Sequence, residues 1–444
     1  MNVVPTVELS LVNTSANLSL SKLNVNESLL KSHVNKQNKL ELVYKNVNND
    51  VNENFDEFSK DYTDNVEREL GLNKDRFPIT TKEEIYYQLL PCVELSYKHM
   101  LTNTIHEFTI VNFFDNPDIH LKSAELFINH KAYPNNYFRK IQRRDFKPIV
   151  KVGYYSADLY YHPVSIWLAE QLENHDKSKV ELYAFCLKSV QDPMRDRLEA
   201  GFDHWIDVTN LSDLEVTKLS RELGIDIAID LNGHTADGRP GIFAARAAPI
   251  QVSHLGFPGS MGAEYIDYMF GQTLGSEEAL EDWASTRPFI TEKIAYVPSA
   301  FTYDRQRQIS EEPLTRAQYG LPEKGFVFTC QNGCQKLVPE VFDIWMEILK
   351  AVPGSVLWLL KPNETAVKNL IKEANARGVE AERLIFTARE VVPIDQERAR
   401  IGKYLASYKL ADLFLDTWPY NAGTTAVDAL WAGLPVLTKT GKAM

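Results

Sequence analysis

The stretch from Leu410 to Thr438, LADLFLDTWPYNAGTTAVDALWAGLPVLT, constrains the fold more than any other part of this sequence. Leu410 to Leu415 is a short apolar run closed by Asp416 and Pro419. Such a run suits a parallel strand covered on both faces. Gly423, Thr424 and Thr425 stand where the next helix begins, and Pro435 to Thr438 reads as a second strand. The backbone N–H groups of a helix start, with hydroxyls beside them, form an anion site. Asp428 lies one turn further in, a position from which a carboxylate could reach a ribose hydroxyl. The same pattern also fits an ordinary strand-to-helix turn with a Thr N-cap.

Alternation of this kind runs through most of the chain. From Pro148 onward, strands are predicted at Val150–Ser156, Val180–Cys186, Ile225–Leu231, Ile250–Leu255 and Lys293–Val297, with helices at Pro163–Glu173 and Leu211–Leu223. After a polar linker near Arg305–Pro313 come strands at Phe326–Cys330, Ser355–Lys361 and Arg383–Thr387. Helices at Pro339–Val352, Thr365–Arg377 and Arg398–Tyr408 separate them. The reading is α/β: two doubly wound, Rossmann-like domains, 149–312 and 313–444, facing a cleft. Ligands of such sheets bind beyond the carboxyl ends of the strands. Residues 1–60 are rich in Asn, Ser, Lys and Val and read as poorly ordered, apart from a short helix at Glu27–His33. Residues 61–148 read as a helical region, clearest at Lys82–Leu101 and Ile119–His130.

The formal net charge of -12 argues against a broad nucleic-acid surface, which needs excess Lys and Arg. No run is long and apolar enough to span a bilayer. The N-terminus lacks a basic region followed by an apolar core, so no signal peptide is read there. The four cysteines are scattered, and no His or Cys pair completes a metal site around Cys330 and Cys334. A reduced, cytoplasmic setting fits this usage.

Four further segments carry candidate chemistry. His162 follows the first strand and precedes Pro163, which suits the first helical position. It reads either as a base or sugar contact, or as a structural cap. Asp230, Asn232, His234 and Thr235 cluster after an apolar strand, suited to a hydroxyl-rich ligand or to turn work. Gly256, Pro258, Gly259 and Gly262 form a rigid loop. It is not the dinucleotide GxGxxG fingerprint, which removes a dehydrogenase reading. Lys336 follows CQNGCQ at a strand end; a Lys there neutralises a diphosphate leaving group or sits solvated in a first helical turn.

Together these segments closely resemble the catalytic region of the O-linked N-acetylglucosamine transferase family, including its SPINDLY-like and bacterial members. The matching residues are Asp158 with His162–Pro163, Asp230 to Thr235 followed by Arg239, and Ala248 to Gln251. They continue with Leu255 to Gly259, Lys336 with Pro339, Ser355 to Leu360, and Leu415 to Gly433. The resemblance covers residue 149 to the last. It implies a GT-B fold, a UDP-sugar donor, inversion at the anomeric carbon, no metal or other cofactor, and a protein Ser or Thr hydroxyl as acceptor. It places His162 in the active site, Lys336 on the departing diphosphate, Thr424 and Thr425 on the phosphates and Asp428 on the ribose. Thr235 and the loop carrying Gly256, Pro258 and Gly259 would line the sugar side. N-acetylglucosamine is the leading sugar, with a hexose or fucose, or an Asn or glycan acceptor, as alternatives. A non-catalytic nucleotide-sugar binder is the competing class.

The sequence departs from the family in places. Gly423 stands where members carry His before the paired threonines, and Gly333 where some carry a polar residue. No tetratricopeptide repeat is found. The chain stops at Met444, where the family continues through more helices, so a fragment, a truncated product or a chain completed by a partner is expected.

Overall fold

A computed structural model describes residues 107–131, 138, 141, 147–272, 287–297, 303–393 and 396–442. The helices expected at Glu27–His33 and Lys82–Leu101, and the segment 1–60, lie outside the described residues. Two helices open the described chain, α1 (Glu107–Ile110) and α2 (Pro117–Lys131). The second matches the helix expected at Ile119–His130.

The first sheet is built from β1 (Val150–Ser156), β2 (Val180–Cys186), β3 (His204–Asp207), β4 (Ile227–Asp230), β5 (Ile250–Ser253), β6 (Tyr268–Gln272) and β7 (Lys293–Val297). Helices α3 (Pro163–Glu173), α4 (Pro193–Gly201), α5 (Asp213–Leu223) and α6 (Pro240–Ala244) connect the early strands. The order is β3-β2-β1-β4-β5-β6-β7 and neighbouring strands run parallel, with Val150 opposite Val180 and Tyr155 opposite Asp230. Side chains alternate across this sheet with the two-residue period of a strand. Val152, Tyr154, Leu182 and Ala184 enter one apolar cluster, while Tyr155, Tyr183 and Phe185 enter another on the opposite face. Burial on both faces is why these strands read as unbroken apolar runs.

The second sheet holds β8 (Val327–Cys330), β9 (Val356–Leu360), β10 (Leu384–Thr387), β11 (Leu413–Leu415) and β12 (Val436–Leu437). Between them run α7 (Pro339–Ala351), α8 (Glu364–Ala376), α9 (Glu397–Ser407) and α10 (Thr424–Trp431). The order is β10-β9-β8-β11-β12, again parallel in every pair. Trp345, Met346, Leu349, Leu357 and Phe414 form its core. The fold is α/β, two parallel sheets flanked by helices.

Both sheets reverse direction at a comparable place. The chain runs outward through β1, β2 and β3, then returns to lay β4 on the other side of β1. It does the same through β8, β9 and β10 before β11. Such a reversal opens a crevice beyond the strand ends.

Several expected elements shift by one to three residues. The helix expected from Leu211 begins at Asp213, because Ser212 and Glu215 form a reciprocal capping box. The strand expected from Leu410 begins at Leu413, after a tight turn over Tyr408–Leu410. Elements β3, α4, α6 and β6 were not read from the sequence. Polar residues interrupt β3 (His204, Asp207) and α4 (Arg195, Asp196, Arg197, Glu199), which hides the apolar period.

Phe414 is fully buried on β11 between β8 and β12. Phe414→Ala is expected to lower unfolding free energy by about 3–5 kcal/mol, read by urea titration.

Candidate active site

Every candidate motif lies just past the carboxyl end of a strand. His162 follows β1, Thr235 follows β4 and the Gly256 loop follows β5. Lys336 follows β8, and Thr424 follows β11. The first and last pairs flank the two points of reversal.

In the first lobe, Asn232 is fully buried and ties the motifs together. Its Oδ1 accepts from Ala157 N at 2.7 Å, and its Nδ2 donates to Asp158 Oδ2 at 2.7 Å and Thr235 Oγ1 at 3.1 Å. Asp230 does turn work: its Oδ1 accepts from Asn232 N and Gly233 N at 2.9 and 3.0 Å. Burial pushes the Asp230 carboxyl up to about 6. His234 is buried against Phe127 and Phe257, with Nε2 2.9 Å from Met261 O. It is a packing residue and touches α2. Gly256 adopts φ +66°, and a Cβ there would lie 2.3 Å from Leu231 O. The glycine therefore permits the loop carrying Pro258 and Gly259 to press against the Asn232 turn.

His162 is the N-cap of α3, and its Nδ1 accepts from Val164 N at 3.3 Å. The structural cap that the sequence offered as one reading of His162 is present. Asp158 Oδ2 stands 3.7 Å from the same nitrogen. Burial lowers the His162 pKa, against the pull of Asp158, and burial raises that of Asp158.

In the second lobe, Lys336 ends a tight turn over Cys334–Lys336. Its Nζ donates to Asn421 O at 2.9 Å and stands 3.6 Å from the centre of the Tyr420 ring. Burial pushes its pKa down to about 8, although the Asp416 charge pulls it up. Gly423, not a threonine, is the N-cap of α10 and makes no side-chain cap. A Cβ at Gly423 would meet nothing within 4 Å, so the space beside the helix start is open. Thr425 donates through Oγ1 to Asn332 Oδ1, and Asn332 Nδ2 donates to Thr417 Oγ1 at 2.8 Å. Thr424 Oγ1 accepts from Trp167 Nε1 at 2.9 Å. That bond joins α3 of the first lobe to the helix start of the second. Tyr420 adds a second bridge, packing on the apolar cluster of the first lobe.

Asp428 does lie one turn into α10, and it is 4% exposed. Its Oδ1 accepts from Tyr303 OH at 2.6 Å and also from Arg307. Asn232 stood among the candidates clustered after β4. Trp167, Tyr420, Asn332, Tyr303 and Arg307 were not among the expected site residues, although Tyr420 lies within the Leu410–Thr438 stretch and Asn332 within CQNGCQ.

Among the described residues, no three His, Cys, Asp or Glu side chains cluster as a metal site requires. No described helix is long and apolar enough to cross a membrane.

Two facing α/β lobes with polar loops at both switch points define a GT-B protein. The glycosyl transferase family 41 model matches residues 89–312 and 305–444, and the chain belongs to that family. It is 33% identical over 296 residues to a probable UDP-N-acetylglucosamine–peptide N-acetylglucosaminyltransferase SEC of Arabidopsis thaliana, covering 65% of this chain and 29% of that one. It is 26% identical over 405 residues to the UDP-N-acetylglucosamine–peptide N-acetylglucosaminyltransferase of Caenorhabditis elegans, covering 65% and 34%. The solved structure of a Thermobaculum terrenum O-GlcNAc transferase mutant superposes with a TM-score of 0.62 at 27% identity, covering 81% of this chain and 67% of that one. The chain spans about a third of the length of these two curated relatives.

If the Lys336 ammonium sits in this apolar setting, NMR of labelled lysine should show it titrating near pH 8, well below the ordinary 10.5. An ordinary titration would contradict the packing of Tyr420 over it.

Proposed function

We propose that this chain carries the sugar-transfer machinery of an inverting, metal-independent glycosyltransferase. The donor is a UDP-sugar, with N-acetylglucosamine as the first choice of sugar, and the acceptor is a protein Ser or Thr hydroxyl. Support comes from the family membership and from the names of the relatives at the level of donor and acceptor class. The observation that carries the mechanism is Lys336, held by Asn421 O on the loop that leads into the start of α10.

Sugar transfer with inversion develops positive charge on the sugar ring and negative charge on the departing diphosphate. Lys336 and the N–H groups of α10 offer positive charge and donors to that diphosphate. Thr424, which accepts from Trp167, keeps its hydroxyl hydrogen for the same place, whereas Thr425 reaches a phosphate once it releases Asn332. A partly desolvated ammonium interacts with a phosphate more strongly than a hydrated one, because less water screens it. The diphosphate in turn raises the lysine's pKa on binding, so the two charges stabilise each other.

On the acceptor side, His162 accepts the Val164 N–H through Nδ1. A neutral ring in that arrangement carries its hydrogen on Nε2 and presents a donor to substrate hydroxyls. Asp158 and Asn232 fix the loop from which it projects. Thr235 and the Gly256–Gly259 loop supply the sugar-facing wall in this reading. Asp428 holds the ribose.

Turnover of UDP-N-acetylglucosamine against a Ser/Thr peptide panel tests the proposal. Lys336→Ala is expected to lower kcat at least about 100-fold, the scale of losing one preorganised charge donor. EDTA should leave wild-type turnover unchanged. Near-normal turnover in Lys336→Ala would remove the leaving-group role, and UDP binding with no transfer to any acceptor would favour a binding module.

Wild-type donor affinity should fall as pH rises through about 8, where the free enzyme's Lys336 loses its proton. In Lys336→Arg, which stays charged, that falling limb should vanish.

A further inference from the structure

We propose that Tyr303 and Arg307 are positioning residues that aim the Asp428 carboxylate at the ribose of the bound nucleotide. The inference rests on the UDP-sugar reading above and adds residues that no motif of the sequence singled out.

Tyr303 OH and Arg307 Nη1 both bond to Oδ1 of Asp428. No described bond goes to Oδ2. A carboxylate held at one oxygen by two donors has little freedom to turn, and its other oxygen keeps its lone pairs for a hydroxyl donor. Neighbouring hydroxyls of a ribose are such donors. Arg307 is 8% exposed, and its guanidinium lies 4.9 Å from the centre of the Tyr303 ring, so the clamp is itself packed. Burial raises the Asp428 pKa while Arg307 and Tyr303 lower it. The clamp therefore also favours the ionised acceptor a ribose requires.

The segment carrying the clamp is anchored in the other lobe. Between Tyr303 and Arg307, Asp304 is 2% exposed and receives Arg197 of α4 at 2.7 and 3.1 Å. Arg197 also bonds Glu173 at the end of α3, at 2.6 and 3.0 Å. Arg305 Nε reaches Glu170 Oε1 at 2.6 Å. Trp167, the α3 residue that bonds Thr424, meets Tyr303 edge-on at 6.1 Å between ring centres. One face of α3 thus references both the phosphate-side hydroxyl and the ribose-side carboxylate. The expected polar linker at Arg305–Pro313 is, in its first residues, an ion-paired strap between the lobes.

The test is calorimetric titration of the 444-residue chain with UDP and with 2′,3′-dideoxy-UDP, whose ribose lacks both hydroxyls. Wild type should bind UDP about tenfold or more tighter than the dideoxy analogue, the scale of a hydrogen bond to a charged group. Tyr303→Phe and Arg307→Gln should each erase most of that ratio while leaving dideoxy-UDP affinity within about twofold, since only the ribose contact changes. Tyr303→Phe removes one oxygen and stands as the test if Arg307→Gln fails to fold. A preserved ratio in Tyr303→Phe, or tighter UDP binding in either variant, would overturn the inference. The second outcome would make the clamp a lock rather than an aid. Asp428→Asn separates the underlying reading: if wild type and Asp428→Asn discriminate equally, Asp428 does not hold the ribose and both claims fall.

Discussion

The carboxylate of Asp416 is the point on which the second lobe's site is built. It directly follows β11, and its two oxygens collect donors from both sides of the following loop. Oδ1 accepts from Thr417 N and Ala422 N, each at 2.8 Å. Oδ2 accepts from Asn421 Nδ2 at 3.1 Å and Thr438 Oγ1 at 2.7 Å. The loop is thereby closed on itself and tied to the end of β12. Its closure presents Asn421 O and the Tyr420 ring to Lys336, and sets the point where α10 begins. The same negative charge offsets part of the cost of burying the Lys336 ammonium. An anchor of one carboxylate with several donors is well suited to this task, because charge-assisted bonds hold a loop that has no strand partners of its own.

The two lobes are joined by more than covalent continuity. Trp167 to Thr424, Tyr420 on the first lobe's core, and the strap from Tyr303 to Arg307 all cross between them. The crossing contacts involve the proposed phosphate and ribose residues themselves. A change in lobe spacing would therefore change donor binding, and donor binding would bias lobe spacing, as linkage requires. Surface apolar side chains on the second lobe, Leu430, Trp431 and Leu437, lie on α10 and β12 beside these contacts.

Most of this architecture was legible because parallel strands buried on both faces leave unbroken apolar runs. β1, β2, β7 and α3 fall on the residues expected, and β8, β9 and β10 within one residue. The starts of α3, α7, α8 and α9 fall within one residue too, whereas the Ser212–Glu215 capping box moves α5 by two, a local signal that the apolar period does not carry. The site divides in the same way. Candidates lying at strand ends were visible from position, since a strand's carboxyl end announces itself in the sequence. Asn232 stood among them, but its bonds to Ala157, Asp158 and Thr235 depend on β1 and β4 being neighbours. Tyr303 and Arg307 left no trace, because a Tyr and an Arg in a polar stretch read as solvated until their partner is known. That partner lies 125 and 121 residues away.

Lys336 shows why a site of this kind departs from what stability alone would choose. A lysine over an aromatic ring with one carbonyl acceptor has three donors and few partners, and its depressed pKa records the lost hydration. Nothing in the free chain repays that desolvation in full. A diphosphate would, because it brings charge and acceptor oxygens to the same spot. In the proposed role this asymmetry becomes binding energy for an anion, which is how preorganised charge serves a leaving group. Asp428 on α10 has the opposite charge and the opposite arrangement: Arg307 and Tyr303 already offset part of the cost of its burial. In the proposed site, one residue waits for its counterion and the other carries its own. A nucleotide diphosphate, anionic at the phosphates and neutral at the ribose, has the complementary pattern.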